Sequence, residues 1–209
     1  MSICGRMKPG AVVVFDIGNV LIRWDPRAAF RHAVGSDAEI DALFDAVGFY
    51  DWNYANDRGR ARMDAVAAIA ARWPQHAGVM AGYFDRFGET IRTPINGTWE
   101  IIAALRARGV RLWALTNFSA DTWPEALRLH PQLGAVFEGI VVSGHEGMVK
   151  PERAIFDLLC ARAGVRPEAC FFTDDSAENV AGARAAGWQA HLFDGPDGLR
   201  AALRERGLL

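Results

Sequence analysis

The sequence predicts an α/β fold: a doubly wound parallel sheet whose first strand is followed by an all-helical insertion. Short continuous apolar runs rich in β-formers recur along the chain, as strands buried on both faces require. Segments of helical periodicity separate the later runs, the alternation that builds parallel crossover units. Residues 26–93, by contrast, hold helical patterns and no convincing strand.

The strand runs are AVVVFD (11–16), VRLWALTN (110–117), GIVVSG (139–144), ACFFTDD (169–175) and WQAHLF (188–193). Helical spacing covers 98–108, 121–129, 151–164, 176–186 and 196–206, and Gly109, Gly164 and Gly187 stand where helix C-termini favour glycine. Within the insertion, helices are expected at 26–34, 37–47, 60–73 and 76–92, with Pro94 and Gly97 as the return hinge. This divides the chain into a core domain of 1–22 and 96–209 and a helical domain of 23–95.

Hydrophobic residues make up 51% of the chain and charged residues 23%, a balance that supports one full core and a smaller appended unit. The net charge of −2 and the lack of a basic run argue against nucleic acid or an anionic membrane as partner. Cys4, Cys160 and Cys170 are odd in number and far apart, which predicts free thiols in a reducing, cytoplasmic setting rather than disulfides or zinc. No apolar run is long enough for a membrane span, and Met1–Pro9 reads as a loose leader. Phe49, Tyr50, Trp52, Tyr54 and Trp73 are expected mainly to pack the helical insertion, or else to form a dimer contact, so monomer and homodimer both stand.

In an open parallel sheet, ligands bind beyond the carboxyl ends of the strands, where strand order reverses. The polar groups at those ends are therefore informative: Asp16, then Thr116-Asn117, then Ser143-Gly144 with Lys150 shortly after, then Asp174-Asp175. Each alone reads as a helix cap, a turn residue or a solvated lysine. As an ordered set they suit phosphoryl transfer through an aspartyl phosphate. A carboxylate attacks phosphorus, splitting one displacement into two easier ones. The meeting of two anions then calls for Mg²⁺ on carboxylates and a carbonyl, with a lysine and hydroxyl around the phosphoryl oxygens. Gly18 reads at this level as turn chemistry that lets backbone N–H groups close around those oxygens.

Four motifs in order, VVVFDIGNVL, LWALTNFS, GMVKPERAIF and FFTDDSAENVAGARAAGW, span almost the whole α/β unit. Through them the chain resembles the haloacid dehalogenase (HAD) superfamily of hydrolases, in its subclass with a helical cap after the first strand. The resemblance implies a Rossmann-like core and a Mg²⁺-dependent phosphatase acting on a small phosphorylated metabolite, with sugar phosphates among the candidates. It makes Asp16 nucleophile and Mg²⁺ ligand, the Gly18 carbonyl a second ligand, and Asp175, helped by Asp174, the rest of the protein's share. Thr116, the Asn117 backbone and Lys150 would hold the phosphoryl group, and the cap would close over the crevice. The WNYANDRG stretch (52–59) looks like a substrate-facing segment, which nominates Trp52, Asn53, Asp57 and Arg58.

The departure is Gly18, where most phosphatases of the superfamily carry the aspartate that protonates the leaving group. Asp25, His145 and Asp57 are the candidates to replace it. Three alternatives follow. The 2-haloacid dehalogenases need no metal and lack that aspartate, but they keep a water-activating aspartate where this chain has Asn179. A phospho-receiver module uses similar residue types with its acidic pair on the first strand, not the fourth. A catalytically impaired relative serving as a binding protein would explain Gly18 alone.

Overall fold

The computed structural model describes residues 10–209, so the expected leader and Cys4 lie outside the described residues. Five strands, β1 (Val12–Phe15), β2 (Arg111–Thr116), β3 (Gly139–Val142), β4 (Cys170–Asp174) and β5 (Gln189–Leu192), form one sheet in the order β3-β2-β1-β4-β5. Every neighbouring pair is parallel. The order reverses beside β1, where Phe15 is in register with Ala114 on one side and Thr173 on the other. The carboxyl ends of β1 and β4 therefore meet at the switch point.

The β1 side chains divide by parity, as a strand's geometry dictates. Val12 and Val14 pack with Phe156 and Leu159 and with Val180 and Ala183 on one face of the sheet. Val13 and Phe15 face Ile101, Leu105, Leu199 and Leu203 on the other. The covering helices are α6 (Asn96–Ala107), α10 (Arg153–Ala163), α11 (Ala177–Ala185) and α12 (Pro196–Glu205). Three shorter helices, α7 (Trp123–Leu129), α8 (Leu133–Val136) and α9 (Ser143–Glu146), flank β2 and β3.

Between β1 and α6 the chain forms α1 (Asp37–Val47), α2 (Phe49–Asp57), α3 (Arg62–Arg72), α4 (Ala77–Asp85) and α5 (Phe87–Thr90). The structure differs from the sequence reading in three places. The helix expected over 26–34 is a single 3₁₀ turn, Pro26–Ala29, begun by an Asp25 cap. The helix expected over 76–92 breaks at Arg86, whose φ of −111° and ψ of 13° leave the α region. Helix α2 was not anticipated; Gly48, left-handed at φ 64°, ends α1 and starts α2 at once. Its buried Phe49 and Trp52 join Phe30, Phe44 and Tyr83 in an aromatic core continuous with the Phe15 face of the sheet.

Two strands of connecting chain run antiparallel where the insertion leaves and returns. Arg23 N donates to Thr93 O (2.9 Å) and Ile95 N to Leu21 O (2.8 Å), with Pro94 bridged to Ile22. The far end is docked as well: Ser143 Oγ donates to Asp57 O (2.5 Å), and Arg62 N to Asp121 Oδ2 (2.7 Å). Across the same seam, a Cβ on Gly59, at φ 102°, would stand 3.1 Å from Gly144 O.

Helix α11 meets the Lys150-Pro151 turn just as closely. A Cβ on Gly182 would lie 2.7 Å from both Pro151 Cβ and Pro151 O. Alanine ordinarily gains about 1 kcal/mol over glycine inside a helix. Overpacking against backbone costs about 1–3 kcal/mol. Gly182→Ala is therefore expected to lower stability in urea unfolding, and a more stable variant would show that this contact does not confine the turn.

Candidate active site

The first strand delivers its carboxylate into a buried cluster. Asp16 Oδ1 accepts from the Ile17 N–H at 2.7 Å and pairs with Lys150 Nζ at 2.8 Å. The same ammonium lies 2.7 Å from Asp174 Oδ2, and its side chain is completely buried. Asp174 is further held by the Ser176 N–H (2.8 Å) and by Asn179 Nδ2 at 3.1 and 3.2 Å from its two oxygens. Asp175 accepts from Asn19 Nδ2 at 3.1 Å.

Carboxylate oxygens of Asp16, Asp174 and Asp175 come within 4.8 Å of one another. Three carboxylates gather near one ammonium, which pairs directly with two of them. Burial raises the Asp16 pKa to about 7; Lys150 opposes the rise, while Asp174 and Asp175 add to it. Burial raises Asp175 too, against the Asn19 hydrogen bond. Burial disfavours the charged Lys150, but Asp16 and Asp174 outweigh it and hold its pKa above the ordinary value. A surplus of hard oxygen donors around one lysine suits a small divalent cation such as Mg²⁺.

Asp16 opens onto a cavity of about 230 Å³ that Gly18, Asn19, Asn117 and Asp175 also line. From the helical insertion come Asn53 and Asp57. Thr116 ends β2 fully buried and, like Lys150, lies behind the cavity wall rather than on it. Asn117 uses its side chain as a clamp: Oδ1 accepts from Lys150 N (2.8 Å) and Nδ2 donates to Lys150 O (3.0 Å).

Two of the four residues nominated from the insertion stand elsewhere. Trp52 is 5% exposed, donates its indole N–H to Ala65 O (2.9 Å) and packs in the aromatic core. Its position on α2 turns it inward, away from Asp16. Arg58 is exposed and pairs with Glu152 on the surface. Asn53 and Asp57 face the cavity, joined by a hydrogen bond from Asn53 Nδ2 to Asp57 Oδ2 (2.9 Å). Tyr83, missed in the sequence, donates its hydroxyl to Asn53 Oδ1 (3.1 Å).

The three candidate proton donors separate clearly. Asp25 caps the 3₁₀ turn and pairs with Arg31 at 3.0 Å, and His145 is exposed on α9; neither lines the cavity. Asp57 does, and burial raises its carboxyl to about 8, opposed by the Ser119 backbone and Lys150 and reinforced by Asp16. Gly18 also changes meaning. Its φ is unremarkable and a Cβ there would meet nothing within 4 Å, so the backbone does not require glycine. The left-handed residue of the turn is Asn19, at φ 54°.

The family model of the haloacid dehalogenase-like hydrolases matches residues 11–187. The chain belongs to this family. Among relatives of this hydrolase are the sesquiterpene phosphatase astK of Aspergillus oryzae, 25% identical over 87% of this chain and 89% of its own length. The phosphoserine phosphatase of Thermus thermophilus is 30% identical over 75% and 73% of the two chains. The fructose-1-phosphate phosphatase YqaB of Escherichia coli is 27% identical over 86% and 94%. A similar fold is seen in a HAD family enzyme of Bacteroides thetaiotaomicron crystallised with magnesium and inorganic phosphate (TM-score 0.67, 20% identity, 88% of this chain and 94% of that one).

In this hydrolase, removing the shared ammonium would leave two buried carboxylates facing each other. Breaking a buried ion pair from one side costs about 3–5 kcal/mol. Lys150→Met should lose stability on that scale in urea unfolding with chelator present. A loss within about 1 kcal/mol would mean that the lysine does not hold the cluster together.

Proposed function

We propose that this hydrolase is a Mg²⁺-dependent phosphatase of small phosphomonoesters that works through an aspartyl phosphate on Asp16 and draws its leaving-group proton from Asp57. The observation that carries the reading is the convergence of Asp16, Asp174 and Asp175 around buried Lys150 at the switch point of the sheet. The phosphatases named above among its relatives support the same reaction class.

Asp16 Oδ1 is engaged by Lys150 and the Ile17 N–H. Oδ2 accepts no hydrogen bond among the described residues, and it is the oxygen assigned to attack phosphorus. The Asp16 oxygen–phosphorus bond forms as the ester P–O bond breaks, and the departing alkoxide takes the proton of the Asp57 carboxyl. Water then attacks the phosphorus of the aspartyl phosphate and yields its proton to the Asp57 carboxylate. Inorganic phosphate leaves and both side chains are restored. Lys150 holds Asp16 in place and adds positive charge behind it; the Asn117 backbone N–H, on the cavity wall, is the donor assigned to the phosphoryl oxygens, and the Thr116 hydroxyl, at the buried end of β2, would have to reach them from behind that wall. Asp16, Asp174, Asp175 and the Gly18 carbonyl would hold Mg²⁺, which when bound would supply the positive charge that lets two anions meet.

Halide chemistry fits less well. A metal-free dehalogenase would need a base near the fourth strand, and Asn179 is instead an amide spent on both oxygens of Asp174.

Two experiments test the proposal. With p-nitrophenyl phosphate as substrate, phosphate release should require Mg²⁺, stop with chelator and be abolished by Asp16→Asn. Halide release from 2-haloacids that persists in chelator, without phosphatase activity, would replace this reading with the dehalogenase one. The second concerns Asp57, which faces Lys150, Asp16, Tyr83, Asn53 and the Ser119 backbone. Donation needs its protonated form, so kcat/KM for alkyl phosphates should fall as pH rises through about 8. Asp57→Asn should remove that limb and cost roughly 10²–10⁴-fold for alkyl esters but far less for p-nitrophenyl phosphate. Gly18→Asp, for which there is room, should restore part of the loss. An unchanged alkaline limb in Asp57→Asn would remove Asp57 from the mechanism.

A further inference from the structure

The cavity beyond the carboxylates is walled by Ile22, Trp24, Tyr83, Phe87, Ile91 and Phe118. Three of these rings close on one another. The Phe87 ring centre lies 5.8 Å from that of Tyr83 and 5.2 Å from that of Phe118, and Ile91 is 3% exposed. Among the described residues no Lys, Arg or His lines the cavity, so none of them neutralises a carboxylate or a second phosphate on a substrate.

The polar groups of the wall are already committed to the protein. Asn19 donates to Asp175 and accepts from Trp24 N at 3.0 Å. Asn53 donates to Asp57 and accepts from the Tyr83 hydroxyl. Asn117 is bonded at both ends to Lys150, and the Thr122 hydroxyl donates to Ser119 O. Trp24 directs its side chain to the Tyr83 oxygen. A sugar placed here would lose water from its hydroxyls and find few partners in return, which is costly. A hydrocarbon would lose nothing and bury apolar surface.

We infer that the substrate of this site is the monophosphate ester of an apolar, hydrocarbon alcohol. The inference rests on the phosphatase reading and specifies what the leaving group must be. The phosphate meets the carboxylate end, and the chain lies along the wall formed by residues 83–91 and Phe118. At about 230 Å³ the cavity is smaller than most small-molecule sites, which span roughly 300–1,000 Å³. The part of the alcohol that it encloses is therefore short.

The test is kcat/KM over a series of n-alkyl monophosphates from ethyl upward, beside fructose 1-phosphate, glucose 6-phosphate and phosphoserine. Each methylene that enters the cavity should raise kcat/KM about fourfold, equivalent to about 0.8 kcal/mol per buried CH₂, until the space is filled. The sugar phosphates and phosphoserine should trail the best alkyl ester by more than tenfold. Ile91→Thr should flatten the series, and Ile91→Val, which matches threonine in shape but keeps the wall apolar, should largely preserve its slope. A series independent of chain length, a sugar phosphate or phosphoserine that matches the alkyl esters, or an unchanged slope in Ile91→Thr would overturn the inference. If not even p-nitrophenyl phosphate is hydrolysed, the phosphatase reading fails on its own account. Calorimetry with n-alkylphosphonates and Mg²⁺ then decides the pocket: affinity rising with chain length keeps the apolar site, and affinity without such a rise rejects it.

Discussion

The buried ammonium of Lys150, shared between Asp16 and Asp174, is the interaction on which the rest of the site depends. Each partner comes from a different part of the fold: the end of β1, the end of β4 and the loop after β3. Isolated from water, any one of these charges would be prohibitive, and even a paired buried cluster is weak evidence of net stability. It is tolerable here because the remaining polar capacity is filled. Asn117, just past β2, clamps the Lys150 backbone on both sides, and Asn179 with the Ser176 N–H occupies Asp174. Four strand ends or their loops are thus fixed in one hydrogen-bonded unit. The network extends into the helical insertion through Ser143, whose hydroxyl accepts from Phe118 N (2.9 Å) and donates to Asp57 O.

Hydrophobic residues of the same volume would hold these elements together at lower electrostatic cost. The polar cluster makes sense as a device that meets an incoming charge. With three carboxylates and one lysine, the unit has an excess of negative charge, and Asp174 and Asp175 add to a rise in the Asp16 pKa that burial begins and Lys150 opposes. On the proposed reading a divalent cation would complete the balance, and a phosphate would then enter a site whose donors are already fixed in place. Pre-organisation of this kind spares the reaction the work of orienting dipoles as charge develops.

Much of this was legible in the sequence because strand ends in a parallel sheet have few alternatives. Short β-rich apolar runs such as VVVF and CFF, each closed by polar residues, read as buried strands, and strand direction then places Asp16, Thr116 and Asp174 at one edge. The insertion was harder to read. Its helices are short, and α2 combines aromatic and polar residues with weak periodicity, so neither its existence nor the inward turn of Trp52 was visible. The cavity wall depends on tertiary packing between α4, α5 and the Phe118 loop, which no local pattern encodes. Gly18 misled in a different way. Its residue type suggests a conformational need, yet the left-handed position is Asn19 and the space beside Gly18 is open.

That open space sharpens the meaning of the Gly18 departure. If the backbone does not demand glycine, the missing carboxylate is a chemical choice, and the acid on the proposed reading has moved from a strand end to the end of α2. A carboxyl on the strand loop would be present whether or not the insertion covers the site. Asp57 is present only when α2 is docked through Ser143, Gly59 and Arg62 against the core. On the proposed reading, proton delivery would thereby depend on this docking, in the way lids complete a catalytic set. The same segment brings Tyr83, Phe87 and Ile91 to form the apolar wall. On this reading, the element that would recognise the alcohol is the one that would protonate it. An ester whose alcohol does not favour the closed wall would be left without its acid, so selectivity for the leaving group would appear in the rate of the chemical step as well as in binding.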